Sequence, residues 1–168
     1  MYFTCRAVEL GYLDSAAWRF ENVVELDAPS AEVFDVFADG ESWPKWFEAV
    51  QRVVWTSPEP KGVGTTRTVT LRVNPLKVTV HERFLVWDPG QRFTFRFEGV
   101  SLPLFDAGIE DYRLEDLSEG RCRLTYTVCV EPTPAVHLLG PVTGRLFARM
   151  LRSGAQGLQT YVRRPVSR

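Results

Sequence analysis

GTTRTVTLRVNPLKVTVHERFLVWDPGQRFTFRF, residues 64–97, decides the fold. β-Branched and aromatic residues alternate with polar ones through this stretch, and a period of two puts every second side chain on one face of a strand. Asn74-Pro75 and Asp88-Pro89-Gly90 break the alternation, so the stretch reads as three antiparallel strands over 64–73, 77–87 and 91–98. A two-residue Asn74-Pro75 connection sets Leu71 against Val78, Val69 against Val80 and Arg67 against Glu82; a four-residue loop keeps the parity and moves the partners by two. A four-residue turn from Asp88 to Gln91 sets Val86 against Phe93, Phe84 against Phe95 and Glu82 against Phe97. One face is therefore apolar, with Arg67 and Glu82 as its exceptions.

Outward from this centre, further strands read over 50–56, 107–116 and 121–131, bounded by Pro58, Pro60, Gly62 and Gly120. Tyr112, Leu114, Leu124, Tyr126, Val128 and Val130 continue the apolar face, and that parity adds Glu110 to it. From Trp18 to Ala28, Phe20, Val24 and Leu26 oppose Glu21, Glu25 and Asp27, which is a half-buried strand. Pro29-Ser30 opens a helix with Ser30 as its expected cap and Val33, Phe34, Val36 and Phe37 inward; Gly40 stops it. A short second helix from Ser42 carries Trp43, Trp46 and Phe47. From Gly140 to Arg163 the period becomes helical, with Leu146, Phe147, Met150, Leu151, Leu158, Tyr161 and Val162 on one side. Roughly 23 residues give a helix of about 34 Å, long enough to cross a six- or seven-stranded sheet. The expected class is α+β: an antiparallel sheet of six or seven strands that buries its apolar face on one long C-terminal helix, with two short helices after the first strand. Residues 18–163 form this single domain, 1–17 an N-terminal extension and 164–168 a tail.

The 168 residues suit one domain, and 20 Lys+Arg against 21 Asp+Glu leave a net charge of -1. That balance provides no field to concentrate nucleic acid. Cys122 and Cys129 lie an odd number of residues apart on one strand and so face opposite ways, which excludes a disulfide or shared metal between them; Cys5 is isolated. Arg6 and Glu9 interrupt what a signal peptide needs apolar, and no run of about 18 apolar residues follows. The expected compartment is the cytoplasm.

Ala28-Pro-Ser-Ala-Glu-Val-Phe34, Trp43-Pro-Lys-Trp46, Gly62-Val-Gly-Thr-Thr-Arg67, Trp87-Asp-Pro-Gly90 and the closing helix, in that order, resemble the polyketide cyclase/dehydrase branch of the START-like, Bet v 1-like superfamily (SRPBCC). The resemblance covers about 18 to 163. It implies a helix-grip fold, a curved antiparallel sheet wrapped around the long C-terminal helix and enclosing an apolar cavity, and functions from lipid carriage to aromatase/cyclase chemistry. In the family's aromatase/cyclases a cavity arginine holds a polyketide carbonyl, and Arg67 matches it by strand position.

Two roles fit the polar exceptions. Arg67 and Glu82 can form a buried ion pair across the hairpin, or Arg67 can serve as the polar handle for a ligand oxygen. The candidate catalytic groups are Arg67, Glu82 and Glu110. The candidate ligand-binding residues are Trp46, Arg67, Val69, Glu82, Phe84, Phe95, Phe97, Glu110, Tyr112, Tyr126, Met150, Gly154 and Leu158. Gly154 and Gly157 in the long helix either leave space for a ligand or allow close packing. An alkyl chain of about ten methylenes gains roughly 8 kcal/mol on burial, and association costs at least about 4, so a useful ligand is larger, aromatic or polar at one end. Lys61-Gly-Val-Gly-Thr-Thr66 lacks the ending of a phosphate loop, and His81 and His137 have no metal-spaced companions. No metal and no cofactor are expected. The leading expectation is binding of a small apolar ligand (lipid, polyketide or aromatic); a cofactor-independent polyketide cyclase/dehydratase and an interaction module with a filled cavity are the alternatives. Arg145, Arg149 and Arg152 on the outer side of the last helix form a solvated face or a surface for transient membrane contact. The apolar tips at Pro75-Leu76 and Val100–Phe105 suggest a cavity mouth or a dimer contact, so monomer and homodimer both stand.

Overall fold

The alternating hairpins do form the centre of a single sheet. A computed structural model describes residues 2–163; the expected tail lies outside the described residues. In chain order the elements are β1 (Phe3–Thr4), β2 (Trp18–Leu26), α1 (Ser30–Ala38), α2 (Trp43–Trp46), β3 (Val50–Trp55), β4 (Thr66–Val73), β5 (Leu76–Asp88), β6 (Arg92–Val100), β7 (Phe105–Asp116), β8 (Cys122–Pro132), α3 (Pro134–Leu138) and α4 (Gly140–Val162). The antiparallel sheet runs β2-β8-β7-β6-β5-β4-β3, with β1 paired to β6. The 23-residue α4 closes the inner side and lies against β2 and α2, burying Leu151, Gly154, Ala155 and Leu158. Pro141 in its first turn suits a helix start, where a missing N–H leaves no bond unmade. This is the α+β helix-grip architecture expected from the order of elements.

Register follows the two-residue connection: Leu71 pairs with Val78, Val69 with Val80 and Arg67 with Glu82. Across the next hairpin Phe84 pairs with Phe95 and Glu82 with Phe97. The expected Val86–Phe93 pair does not form. A bulge between Phe84 and Val86 sets Val86 against Thr94 and Trp87 against Phe93, so Trp87 is the residue that turns inward, stacking edge-on with Phe34 and Phe84. An extra residue of this kind flips every later side chain of its strand, which parity counting cannot anticipate.

Ser30 is not the cap of α1: its side chain makes no capping bond. Its backbone N–H instead donates to Asp116 Oδ1 at 2.8 Å, so a carboxylate from the end of β7 meets the positive end of the helix. The N-terminal extension is built into the sheet's outer side. Phe3 and Thr4 pair with Val100 and Gly99, and Val8 and Leu13 bury against Ala107, Ile109 and Cys129. Cys122 belongs to the main core and Cys129 to this outer cluster, on opposite faces as the odd spacing requires. Burial pushes the Cys5 and Cys122 thiols up to about 11. Among the described residues no helix is long and apolar enough to cross a membrane.

Candidate functional site

Sheet curvature and α4 leave a cavity of about 380 Å³ between them, within the usual range for small-molecule pockets. Of the residues singled out from sequence, Arg67, Val69, Glu82, Phe95, Phe97, Glu110, Tyr112, Tyr126 and Met150 line it. Trp46, Phe84, Gly154 and Leu158 do not. Trp46 packs against Phe37, Trp43 and Phe47; Phe84 is enclosed by Trp55, Trp87, Phe93 and Phe95; Leu158 is fully buried core. A Cβ on Gly154 would stand 2.9 Å from the Phe47 ring, and one on Gly157 would stand 1.9 Å from the Trp46 carbonyl oxygen. These glycines let α4 approach α2 and the Phe47 ring; they do not open space for a ligand.

The polar floor starts from the β4–β5 pair. Arg67 Nε donates to Glu82 Oε2 at 2.5 Å with both side chains buried. Among the described residues the guanidinium hydrogen-bonds through Nε alone, and Nη1 is buried with no partner. Its carbon lies 4.4 Å from the Trp43 ring centre and 4.6 Å from that of Phe95, with Phe84 and Trp55 also in reach. Electron-rich faces thus help hold a desolvated cation. Trp46, expected from the motif Trp43-Pro-Lys-Trp46, is not the tryptophan of the site; Trp43 of the same one-turn helix lines the cavity and meets Arg67.

Glu110 on β7 supplies the second half of the floor. Tyr112 Oη and Tyr126 Oη both donate to its Oε2 at 3.0 Å, and their rings stack 4.3 Å apart. Oε1 receives no hydrogen bond from the described residues. Desolvation, then the charge of Glu82, raise the Glu110 carboxyl to about 7, against the tyrosine hydrogen bonds and Arg67, which lower it. Desolvation likewise raises Glu82, opposed by Arg67. Burial, then the Glu110 charge, push both tyrosines well above their usual value, so they stay protonated as donors.

The other end is apolar and open. Val73 and Leu76 at the β4–β5 turn, Leu104 and Phe105 before and at the start of β7, Leu139 between the last two helices and Leu146 of α4 all line the cavity. Leu139 and Leu146 are 65% and 60% exposed, next to exposed Leu138 and Val142. Leu76, Leu104 and Phe105 line the same cavity. His81 lies outside the cavity lining, hydrogen-bonded to Thr68 and packed on Tyr2.

A family model described as polyketide cyclase / dehydrase and lipid transport matches residues 17–163. An uncharacterized protein of Mycobacterium tuberculosis is 36% identical over 155 residues, covering 90% of each chain. A START superfamily protein from Mycobacterium smegmatis superposes with a TM-score of 0.73 at 14% identity, over 86% of this chain and 96% of that one. An aromatase/cyclase from Streptomyces superposes at 0.67 with 17% identity, over 86% and 90%. These two solved structures share the fold.

Proposed function

The chain belongs to the polyketide cyclase/dehydrase and lipid transport family, and from that membership we propose that it binds a small, largely apolar molecule between the sheet and α4, polar end down on Arg67 and Glu110. One observation carries this: an apolar cavity of about 380 Å³ is lined at its floor by Arg67 and Glu110, whose Nη2 and Oε1 make no hydrogen bond with the described residues. A ligand hydroxyl or carbonyl that meets these two atoms adds hydrogen bonds worth about 0.5–1.5 kcal/mol each, more where the partner is charged. The aromatic walls supply the apolar contact.

A cofactor-independent cyclase or dehydratase is the second reading, and Glu110 favours it. A carboxyl near 7 in an apolar site can take a proton from the carbon beside a carbonyl and return it, while a guanidinium steadies the oxygen. The rim supports transient contact with an anionic membrane as the route of loading. Segments 66–81 and 132–163 contain no Asp or Glu, and Arg72, Lys77, Arg145, Arg149 and Arg152 are exposed. Each such cation contributes about 1 kcal/mol near an anionic surface.

Uptake of the uncharged dye Nile red tests the cavity. Saturable binding that is lost in Leu71→Trp, which adds bulk at a half-buried lining position, supports the reading. Dye uptake unchanged in the variant, or none in either protein, contradicts it. Turnover would show as a bound polyketide recovered lighter by one water.

A further inference from the structure

Resting on the ligand-binding reading above, we propose that the cavity selects an uncharged hydroxyl-bearing ligand, such as a phenol, enol or alcohol, over a carboxylate of the same shape, with Glu110 as the specificity-determining residue. Among the described residues that line the cavity there is one cation, Arg67, and there are two carboxyls, Glu82 and Glu110. The cation is already engaged by Glu82 through the 2.5 Å contact. A ligand carboxylate would be a third acid around one committed guanidinium, at the enclosed end of the cavity where Arg67 and Glu82 are buried.

The hydrogen-bond arithmetic agrees with the charge count. Both tyrosines direct their protons to Glu110 Oε2, so neither can serve a ligand anion without abandoning that carboxyl. What the floor still offers is one donor group, Arg67 Nη2, and one acceptor, Glu110 Oε1, neither of which bonds another described residue. A hydroxyl satisfies both, accepting from the arginine and donating to the glutamate. A carboxylate can accept but has no proton for Oε1, and two carboxylate oxygens then face each other. Sites that hydrogen-bond a hydroxyl discriminate strongly against groups that leave a buried partner unmatched. A carboxylate can enter only with a proton on Glu110, whose carboxyl sits near 7; at pH 8 that proton must come from solvent.

The test is calorimetry of the full chain at pH 8 with 2-naphthol and 2-naphthoate, in two buffers of different ionisation enthalpy. The expected result is naphthol binding at least about tenfold tighter, with proton uptake accompanying naphthoate alone. In Glu110→Gln an amide N–H₂ replaces the free oxygen, the acceptor and the opposing charge both vanish, and the preference should collapse or reverse. Equal affinities without proton uptake in the natural protein overturn the proposal even if the variant fails to fold. Naphthoate binding more tightly overturns it as well. If neither probe binds while Nile red does, only this inference fails; if Nile red also fails to bind, the ligand-binding reading falls with it.

Discussion

Arg67 is 1% exposed, and the fold accommodates its guanidinium through the Glu82 contact and the aromatic rings around it. Arg67→Met should therefore destabilise the protein by about 3–5 kcal/mol at neutral pH, since it leaves Glu82 buried alone. Urea denaturation measures this, and the loss should shrink in acid, where Glu82 takes a proton; a loss independent of pH would contradict the pairing account. Glu110 gives a second pH signature. Its folded carboxyl titrates near 7 against the usual 4.5, so between those values the folded protein holds a proton that the unfolded chain has released. Stability should fall as pH rises through that interval, fully present below about 4.5 and fully lost above about 7. Glu110→Gln should flatten the slope, read as Tm against pH, and an unchanged slope would remove Glu110 from the account. Parity alone placed Arg67, Glu82 and Glu110 on the inner face, since one exceptional polar residue on an apolar face is conspicuous. It could not say that both tyrosines converge on Glu110, because the strand pairing that makes Tyr112 oppose Tyr126 is a tertiary fact.

At the scale of elements, the strands and α4 were legible because their periods are long and uninterrupted. What was not legible depends on contact between elements. The β5 bulge exchanges Val86 for Trp87 on the inner face without any glycine or proline to announce it. The glycines of α4 carried a signal that sequence could not resolve, since space and close packing both call for a missing side chain. Gly157 lies under the Trp46 carbonyl, so Gly157→Ala must push α4 away from α2. Despite the better helix propensity of alanine, about 1 kcal/mol over glycine, the variant should lose about 1–3 kcal/mol through overpacking. Thermal melting reads the sign: a raised Tm would mean that α4 and α2 are not in contact there. Gly154→Ala should cost less, because the obstacle is the edge of the Phe47 side chain rather than a backbone oxygen.

Across the whole molecule, charge is sorted while the total stays near zero. Net charge is -1, but the β4–β5 turn and the start of α4, both from segments without Asp or Glu, line the mouth with exposed Leu76, Leu139 and Leu146. Composition hid this, since a sum over the chain cannot show which segments the meander brings together. Cosedimentation should find binding to vesicles containing phosphatidylserine and little to phosphatidylcholine alone, weakened by salt. Leu138→Ser combined with Arg149→Glu should reduce it, and equal binding to both vesicles would remove the electrostatic part of the account. The central claim is that the cavity is an open receptacle with a polar floor, and native mass spectrometry of freshly purified protein, followed by denaturing extraction, tests it most directly. The account predicts a reproducible added mass that resolves on extraction into an apolar, uncharged, hydroxyl- or carbonyl-bearing compound. A clean mass for the bare chain, together with no uptake from a panel of apolar dyes and lipids, would contradict it and leave a filled, interaction-only domain.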